Sequence, residues 1–459
     1  MKIKQSSIII FILTTAIMFL YWASISFSQA QLSTSVHDVT SLIKAVNHGN
    51  NGDMIVVKAG VYELPTPLIP KSGMSIVGTG DRQTIITAAS SWQPSIESLP
   101  AKENPAAYLF NLSKVSDISI SNLKLTAGNL HGAIYAKNTA GIELKNLLIQ
   151  DFLWSSIRTF RMDNFRVHDN VFIDAGGKQR WVGGALNMDW TKNSEFWNNK
   201  IFSSKTNQRK FYGFKGRGAT NLHFHHNDVQ VNFSLEFPFE NDRAIEIDHN
   251  NFVGVISIPK YAGGLVLEKE LAYHIHHNWL KRSYALEWAR NAVEIDHNLF
   301  DFNVVDGGGN LISNHGDKAA PGFTLFHDNL IKNPGLGIFW TKGIYNQFRF
   351  YNNHVKANNL SMNQGLFEFH PQTNFPTIEI RDNIIENTAN NPRPLMRNQE
   401  SYAAIIENNR LKNISDTSAY DNLQKQGVQG LLEPLYFQVG VDGEYTVNNW
   451  NVTKSVALQ

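Results

Sequence analysis

The sequence predicts an all-β chain, a right-handed parallel β-helix solenoid with an N-terminal capping helix, and three observations carry that expectation. First, a short signature recurs every 20 to 31 residues: an Asn, usually preceded by His or Asp, with Val, Ile, Leu or Phe two positions on. It stands at Asn170, Asn199, Asn227, Asn250, Asn278, Asn298, Asn329, Asn353, Asn383 and Asn409, with fainter copies at Asn122 and Asn146. A period of this length marks one supersecondary unit stacking on the next. Second, stretches such as Ala244 to His249, Val293 to His297 and Thr377 to Asp382 alternate apolar and polar residues, which places the apolar ones on one face of a strand. Third, the 459 residues contain no Pro/Gly/Ser linker, and a solenoid grows along one axis without dividing into domains.

From the start of the chain, Lys2 and Lys4 precede an apolar run from Ile8 to about Phe27, and Ser28-Gln-Ala30 fits the small-x-small pattern of a signal peptidase site. Residues 1–30 are therefore expected to be a signal peptide, and 31–459 a single exported domain, secreted, periplasmic or at the cell surface. The competing reading is a retained anchor, since the run approaches the roughly 20 residues of a membrane span. Removal of Lys2 and Lys4 takes the balance from 41 basic and 40 acidic residues to 39 against 40. No basic field suggests nucleic acid, and no stable membrane association is expected after cleavage. The absence of cysteine excludes disulfides and a lipid-modified thiol.

Val39, Leu42, Ile43 and Val46 have helical spacing and end at Gly49, so residues 38–48 are expected to form an amphipathic helix that plugs the open end of the stack. At each later corner, Asn tolerates left-handed backbone angles, and its amide would stack on the next at about 4.8 Å. From about Tyr420 the repeat is lost. Leu431, Leu432, Leu435, Tyr436, Phe437 and Val439 are expected to cover the last coil as a C-terminal cap over residues 420–459.

Outward residues of successive strands would line a groove. Glu236 and Glu287 lie at the same distance from Asn227 and Asn278, and Glu268 occupies an equivalent-looking place between them, so a stack of three carboxylates is expected. Like charges about 5 Å apart require a raised pKa or a cation. Lys215, Arg217 and Arg290 are the nearby cations, and Ca2+ is the other solution. The plainer alternative is that these glutamates solvate an outer face. His315, after Gly307 to Gly309, is the strongest candidate for proton transfer, or else a turn residue beside Asp317. The histidines of the corner motif (His168, His225, His226, His249, His276, His277, His297 and His327) recur with the repeat and are read as structural rather than metal-ligating. Trp181, Trp190, Trp288, Trp340, Phe237, Phe239 and Tyr284 would stack on sugar rings or pack the solenoid wall.

The segments Gly52 to Tyr62 and Lys71 to Gly80 resemble the first coils of pectin-lyase-like β-helix proteins, and the resemblance covers about residues 38–420. Asn314-His315-Gly316-Asp317 resembles the Arg-His-Gly-Asp element of the alginate lyase and chondroitinase B family, with Asn314 in place of the arginine. No lysine follows Glu287, and Arg290 is the nearest cation. The resemblance implies β-elimination on a uronic-acid polysaccharide by a monomeric enzyme. In that reading His315, Arg290, Lys215 and Lys342 supply charge neutralisation and proton transfer. Trp340, Trp288, Arg217 and Asn314 bind substrate, and Glu236, Glu268 and Glu287 hold calcium. Two rivals remain open. Glycoside hydrolysis would use a pair drawn from Glu236, Glu240, Glu268 and Glu287, although the Asn-Thr-Asp and Arg-Ile-Lys elements of polygalacturonases are missing. A non-catalytic carbohydrate-binding or adhesin solenoid predicts no clustering of ionisable residues beyond the repeat.

Overall fold

A computed structural model describes residues 32–80, 83–94, 104–175, 183–203, 212–231, 233–237, 242–257, 271–281, 286–287, 293–302, 310–314, 323–334, 337–341, 347–357, 366–369, 377–387, 393–394, 396–398, 404–412, 414–415, 436–439, 444–448 and 450–452. The helix α1 spans Val39–His48 and opens with a capping box, in which Asp38 accepts from the Ser41 amide at 2.7 Å. It buries Leu42 and Val46. The next strands, Met54–Val57 and Ser75–Gly78, pair in parallel and in register, as do Gly60–Leu64 and Thr84–Ala88.

From there the chain is a parallel β-helix with three faces. A 25-stranded sheet wraps over faces one and two, and a 16-stranded sheet forms face three. The strand Ser155–His168 shows how one sheet covers two faces. Its first half lies on face one, the chain bends at Arg161 (φ 57°) and Asn164 (φ 52°), and its second half runs along face two. Gly184–Trp197 repeats the bend at Trp190 and Asn193.

Period-2 alternation sends one apolar residue of each strand inward, and parallel register stacks it on the same position of the next coil. Ile157, Leu186, Phe214, Leu235 and Ile256 form such a column on face one. On face two, Phe196, Phe224, Ile247, Ile275, Ile295, Phe326 and Phe350 do the same. All are 1 % exposed or less.

The corner asparagines form the predicted ladder. Each Nδ2 from Asn170 to Asn383 donates to the Oδ1 of the next corner Asn at 2.8–3.1 Å. In one respect the expectation needs correcting. The left-handed residue is the one before each ladder Asn: Asp169, Asn198, His226, His249, His277, His297, Asp328, Asn352, Asp382 and Asn408 all have φ between 52° and 56°. That residue makes the turn, while the Asn points into the corner to satisfy backbone groups of its own and neighbouring coils. In the early coils Asn122 and Asn146 themselves take the left-handed place, at φ 57° and 52°. Leu123 and Leu147 then fill the slot that Asn occupies later, so these two are turn residues rather than rungs.

At the far end parallel pairing stops. Glu444–Asn448 and Trp450–Val452 pair antiparallel with Asn409–Lys412 and Ala404–Glu407, the strands of the last coil. Tyr436–Val439 pairs with Glu444–Asn448 instead of the last coil itself. Residues 1–31, including the whole expected signal peptide, and Leu431 to Leu435 lie outside the described residues.

Candidate functional site

One register position on face one recurs once per coil, at Tyr135, Arg158, Asn187, Lys215, Glu236, Ser257, Glu287, Ser313, Trp340 and Glu368. Beside it runs a shorter column, Lys137, Phe160, Asp189 and Arg217. Polar side chains pointing away from a β-helix core normally meet water. Here Arg158, Asn187, Asp189 and Lys215 are only 4–7 % exposed, so these charges are compensated mainly by one another.

Arg158 Nη2 donates to Asp189 Oδ2 at 2.6 Å, and Arg217 Nε lies 3.7 Å from Asp189 Oδ1. One coil further, Lys215 Nζ meets Glu236 Oε2 at 2.5 Å and sits 4.5 Å from the centre of the Tyr212 ring. Three cations thus face two carboxylates, a net charge of +1. Asp189 Oδ1 is buried and accepts no hydrogen bond among the described residues. Desolvating several charges costs about as much as their mutual attraction returns, so stability alone gives no reason for assembling them on an outer face.

Trp190 borders the cluster. It holds φ 58° and is half exposed, and its ring lies against Gly218, where an added Cβ would come within 2.5 Å of it. At the corner of the preceding coils a hollow of about 420 Å3 is lined by Ser72, Lys114, Asn138 and Arg161 among others. No carboxylate is in its lining.

Of the residues singled out from sequence, Lys215, Arg217, Glu236 and Trp190 come together here. The expected stack of three glutamates is described only at Glu236 and Glu287. Ser257, on the strand Val255–Ser257, pairs with Glu236 on one side and Glu287 on the other. Phe237 is a core residue, 1 % exposed and edge-on to Phe224 and Tyr273. Asn314 and Trp340 lie on successive face-one strands, with Asn314 opposite Thr341 and Trp340 opposite Ser313. His315, Arg290, Lys342, Trp288, Trp181, Phe239, Tyr284, Glu240 and Glu268 lie outside the described residues.

Arg158, Asn187 and Asp189 were not anticipated. A usable signal was present: Arg158, Asn187 and Lys215 each stand 12 positions before the next corner, at Asn170, Asn199 and Asn227. Counting back from the following corner finds this column. Counting forward from the preceding one crosses face three and the variable loops.

Face two carries a different pattern near its corner end. His223 and His225 on one coil are followed in register by Glu246 and Asp248, then His274 and His276, then Glu294 and Asp296. Hydrogen bonding to Asp248 raises the His223 pKa against the opposing effect of burial, and Asp296 does the same for His274. Burial alone would raise Asp296, yet hydrogen bonds to His274 and His297 bring it down to about 2. The corner histidines His226, His249, His277 and His297 stack ring on ring at 5.0–5.2 Å, in keeping with the structural role expected of them.

No protein-family model matches the chain, and no curated protein matches it by sequence. Solved structures do. The family 28 exopolygalacturonase of Yersinia enterocolitica aligns with a TM-score of 0.51 at 10 % identity, over 83 % of this chain and 78 % of that one. The A-module of the Azotobacter vinelandii mannuronan C-5 epimerase aligns at 0.45 and 13 %, over 76 % and 90 %. An alginate lyase from a Paenibacillus species aligns at 0.33 and 10 %, over 75 % and 97 %. At 10 % identity the likeness to the exopolygalacturonase shows the fold alone, a parallel β-helix. These structural neighbours are carbohydrate-active enzymes.

Proposed function

We propose that the protein is an exported carbohydrate-active enzyme that cleaves a uronic-acid-containing polysaccharide by β-elimination. The observation that carries this reading is the cluster on face one, where Arg158, Lys215 and Arg217 outnumber Asp189 and Glu236 on three consecutive coils and the strand after them. A net-positive site on a groove-forming face suits an anionic polymer, and lining up one residue per coil suits a chain of sugars.

In this mechanism Arg217, the most exposed of the three cations at 34 %, pairs with the uronate carboxylate and so acidifies the adjacent C5–H. Lys215, in its unprotonated form beside Glu236, takes the C5 proton. The C5–H electron pair forms the C4=C5 double bond as the C4–O bond breaks, and the leaving oxygen takes its proton from water. Asp189 positions Arg158 and Arg217, and the half-exposed Trp190 offers a face for a sugar ring. His315, Arg290 and Lys342 come later in the chain and would serve the carboxylates of other sugars along the polymer, with Trp288, Trp340 and Asn314 extending the binding surface. Calcium held by Glu236, Glu268 and Glu287 is a separate expectation that the chelator arm below tests, and Glu236 already has a cation in Lys215.

Hydrolysis is the second reading. Asp189 and Glu236 are two carboxylates two coils apart on one face, and the neighbour with the TM-score of 0.51 is an exopolygalacturonase. The deciding experiment incubates the protein with alginate, chondroitin, pectin and ulvan, with calcium or chelator. Absorbance of the unsaturated uronate is followed beside new reducing ends. Rising absorbance supports elimination, and its loss in chelator supports calcium. Reducing ends without absorbance move the assignment to hydrolysis, and neither signal on any polymer counts against both.

A further inference from the structure

The histidines and carboxylates of face two are not used by the proposed carbohydrate site, and two sets of them share one arrangement. Glu195 on one coil faces His223 and His225 on the next. Two coils further, Glu246 faces His274 and His276 in the same way. Within each set one donor atom per residue lies within 4.8 Å of the others.

We propose that each set is a binding site for a divalent transition ion of the zinc class, bridging two successive coils of the solenoid.

Residues i and i+2 of a strand point to the same side, so His223 and His225 present their rings together, with centroids 4.2 Å apart. His274 and His276 do so at 4.1 Å. Parallel register brings the glutamate of the preceding coil opposite them. His225 Nε2 lies 3.0 Å from Glu195 Oε1, and His276 Nε2 lies 3.3 Å from Glu246 Oε1. Metal–ligand bonds of about 2.0–2.2 Å in tetrahedral geometry put donor atoms roughly 3.3–3.5 Å apart, so these two pairs already stand near ligand spacing, while His223 and His274, within 4.8 Å, must turn toward them. The other ring nitrogen is already engaged. Nδ1 of His225 shares a hydrogen bond with Nδ1 of His226 at 2.9 Å, and His276 does the same with His277. Outer contacts of this kind fix a ligating imidazole and direct its free nitrogen.

Two imidazoles with one carboxylate select zinc, nickel, cobalt or copper over calcium and magnesium, whose ligands are oxygens. The side chains are 14–50 % exposed, which leaves water a place in the coordination sphere. Without metal, His223 and His274 bond to Asp248 and Asp296 of the following coil. A bound ion draws these imidazoles toward the preceding glutamate instead. Metal requires the neutral ring, so protons compete with it.

The test is calorimetric titration of the chelator-stripped protein with zinc chloride at pH 7.5 and 5.5, with calcium chloride as control. Elemental analysis after gel filtration gives the stoichiometry. Expected are two equivalents of zinc at pH 7.5, one per set, at least tenfold weaker binding at pH 5.5, and no calcium bound at these histidines. The double variant His223→Gln/His225→Gln should lose one equivalent and His274→Gln/His276→Gln the other, with circular dichroism reporting the fold of each. Failure of the wild-type protein to take up zinc overturns the proposal without any variant. Retention of both equivalents in either folded double variant, or calcium binding that disappears with the histidines, overturns it as well.

Discussion

The corner stack from Asn170 to Asn409 holds the same residue on ten successive coils, whereas the face-one stack beside it changes from Arg158 to Asn187, Lys215, Glu236, Ser257 and Glu287. Both have one member per coil at the same inter-strand spacing. A uniform stack solves a problem that every coil shares, namely the backbone groups left unpaired at a tight corner. A stack that changes on every coil cannot be answering a repeated need. Its members are better explained by something bound across them, and that difference separates architecture from chemistry in a solenoid.

If the distinction holds, the largest effects on turnover belong to the variable stack. Lys215→Met should lower kcat by about 100- to 10,000-fold, the range for removing a proton-transfer group. Glu236, only 18 % exposed, would then be left unpaired, at a cost below the roughly 3–5 kcal/mol of a fully buried pair. The companion Lys215→Met/Glu236→Gln removes both charges and should regain stability without regaining activity. Parallel recovery of both would return the pair to the architectural class.

The uniform stack should show the reverse. Asn250 donates to Phe224 O, Asp248 O and Asn278 Oδ1, and its Oδ1 accepts from Asn227. Asn250→Leu should cost about 3–5 kcal/mol by stranding these groups, while sparing kcat in the protein that remains folded. Asn170→Leu should cost less, because Leu147 already fills the slot on the coil before it and the ladder begins there. Equal losses in chemical denaturation at the two positions would mean that the ladder is not a cooperative unit.

The same contrast explains what could be read from the chain. A residue that recurs at ten corners is visible in one sequence, and so were the coils, the capping helix and the period-2 strands. The variable column is hidden because its members share no residue type. Lys215, Arg217 and Glu236 were found as charges near one another, but Arg158 and Asp189 carry no local signature. That Ser257 stands between Glu236 and Glu287 is hidden because the distance from face one to the corner is not constant: Lys215 stands 12 residues before its following corner and Glu236 stands 14. Which residue turns each corner was also misread, since Asn is competent both to adopt left-handed angles and to pair buried backbone. Only the stack of coils decides between the two uses.

A smaller effect tests the edge of the cluster. Trp190→Ala removes an exposed ring from beside Asp189 and Arg217 and should raise KM about 2- to 10-fold, the worth of one aromatic face, with little change in kcat. Gly218→Ala should do the same indirectly, since its Cβ would meet the Trp190 ring and its φ of 62° is costly for alanine. A fall in kcat with KM unchanged would place Trp190 in the chemistry instead.

Face two offers an intermediate kind of stack, in which two residue classes alternate, and pH should reveal it with the smallest effect. His223 and His274 have pKa values raised by Asp248 and Asp296. Their contribution to stability is therefore complete below the unfolded value of about 6.5 and disappears as pH rises through the raised one. Asp296 is lowered to about 2, so its contribution is present above about 3.8 and disappears as pH falls toward that lower value. The two limits together predict greatest stabilisation from this face between about pH 4 and 6.5 in metal-free protein. These side chains are partly exposed and salt screens them, so the difference in Tm should be about 1–2 °C. The variant His223→Gln/His274→Gln should flatten the profile across that window. A wild-type optimum unchanged by the substitution would show that the alternating stack follows the repeat without responding to protons.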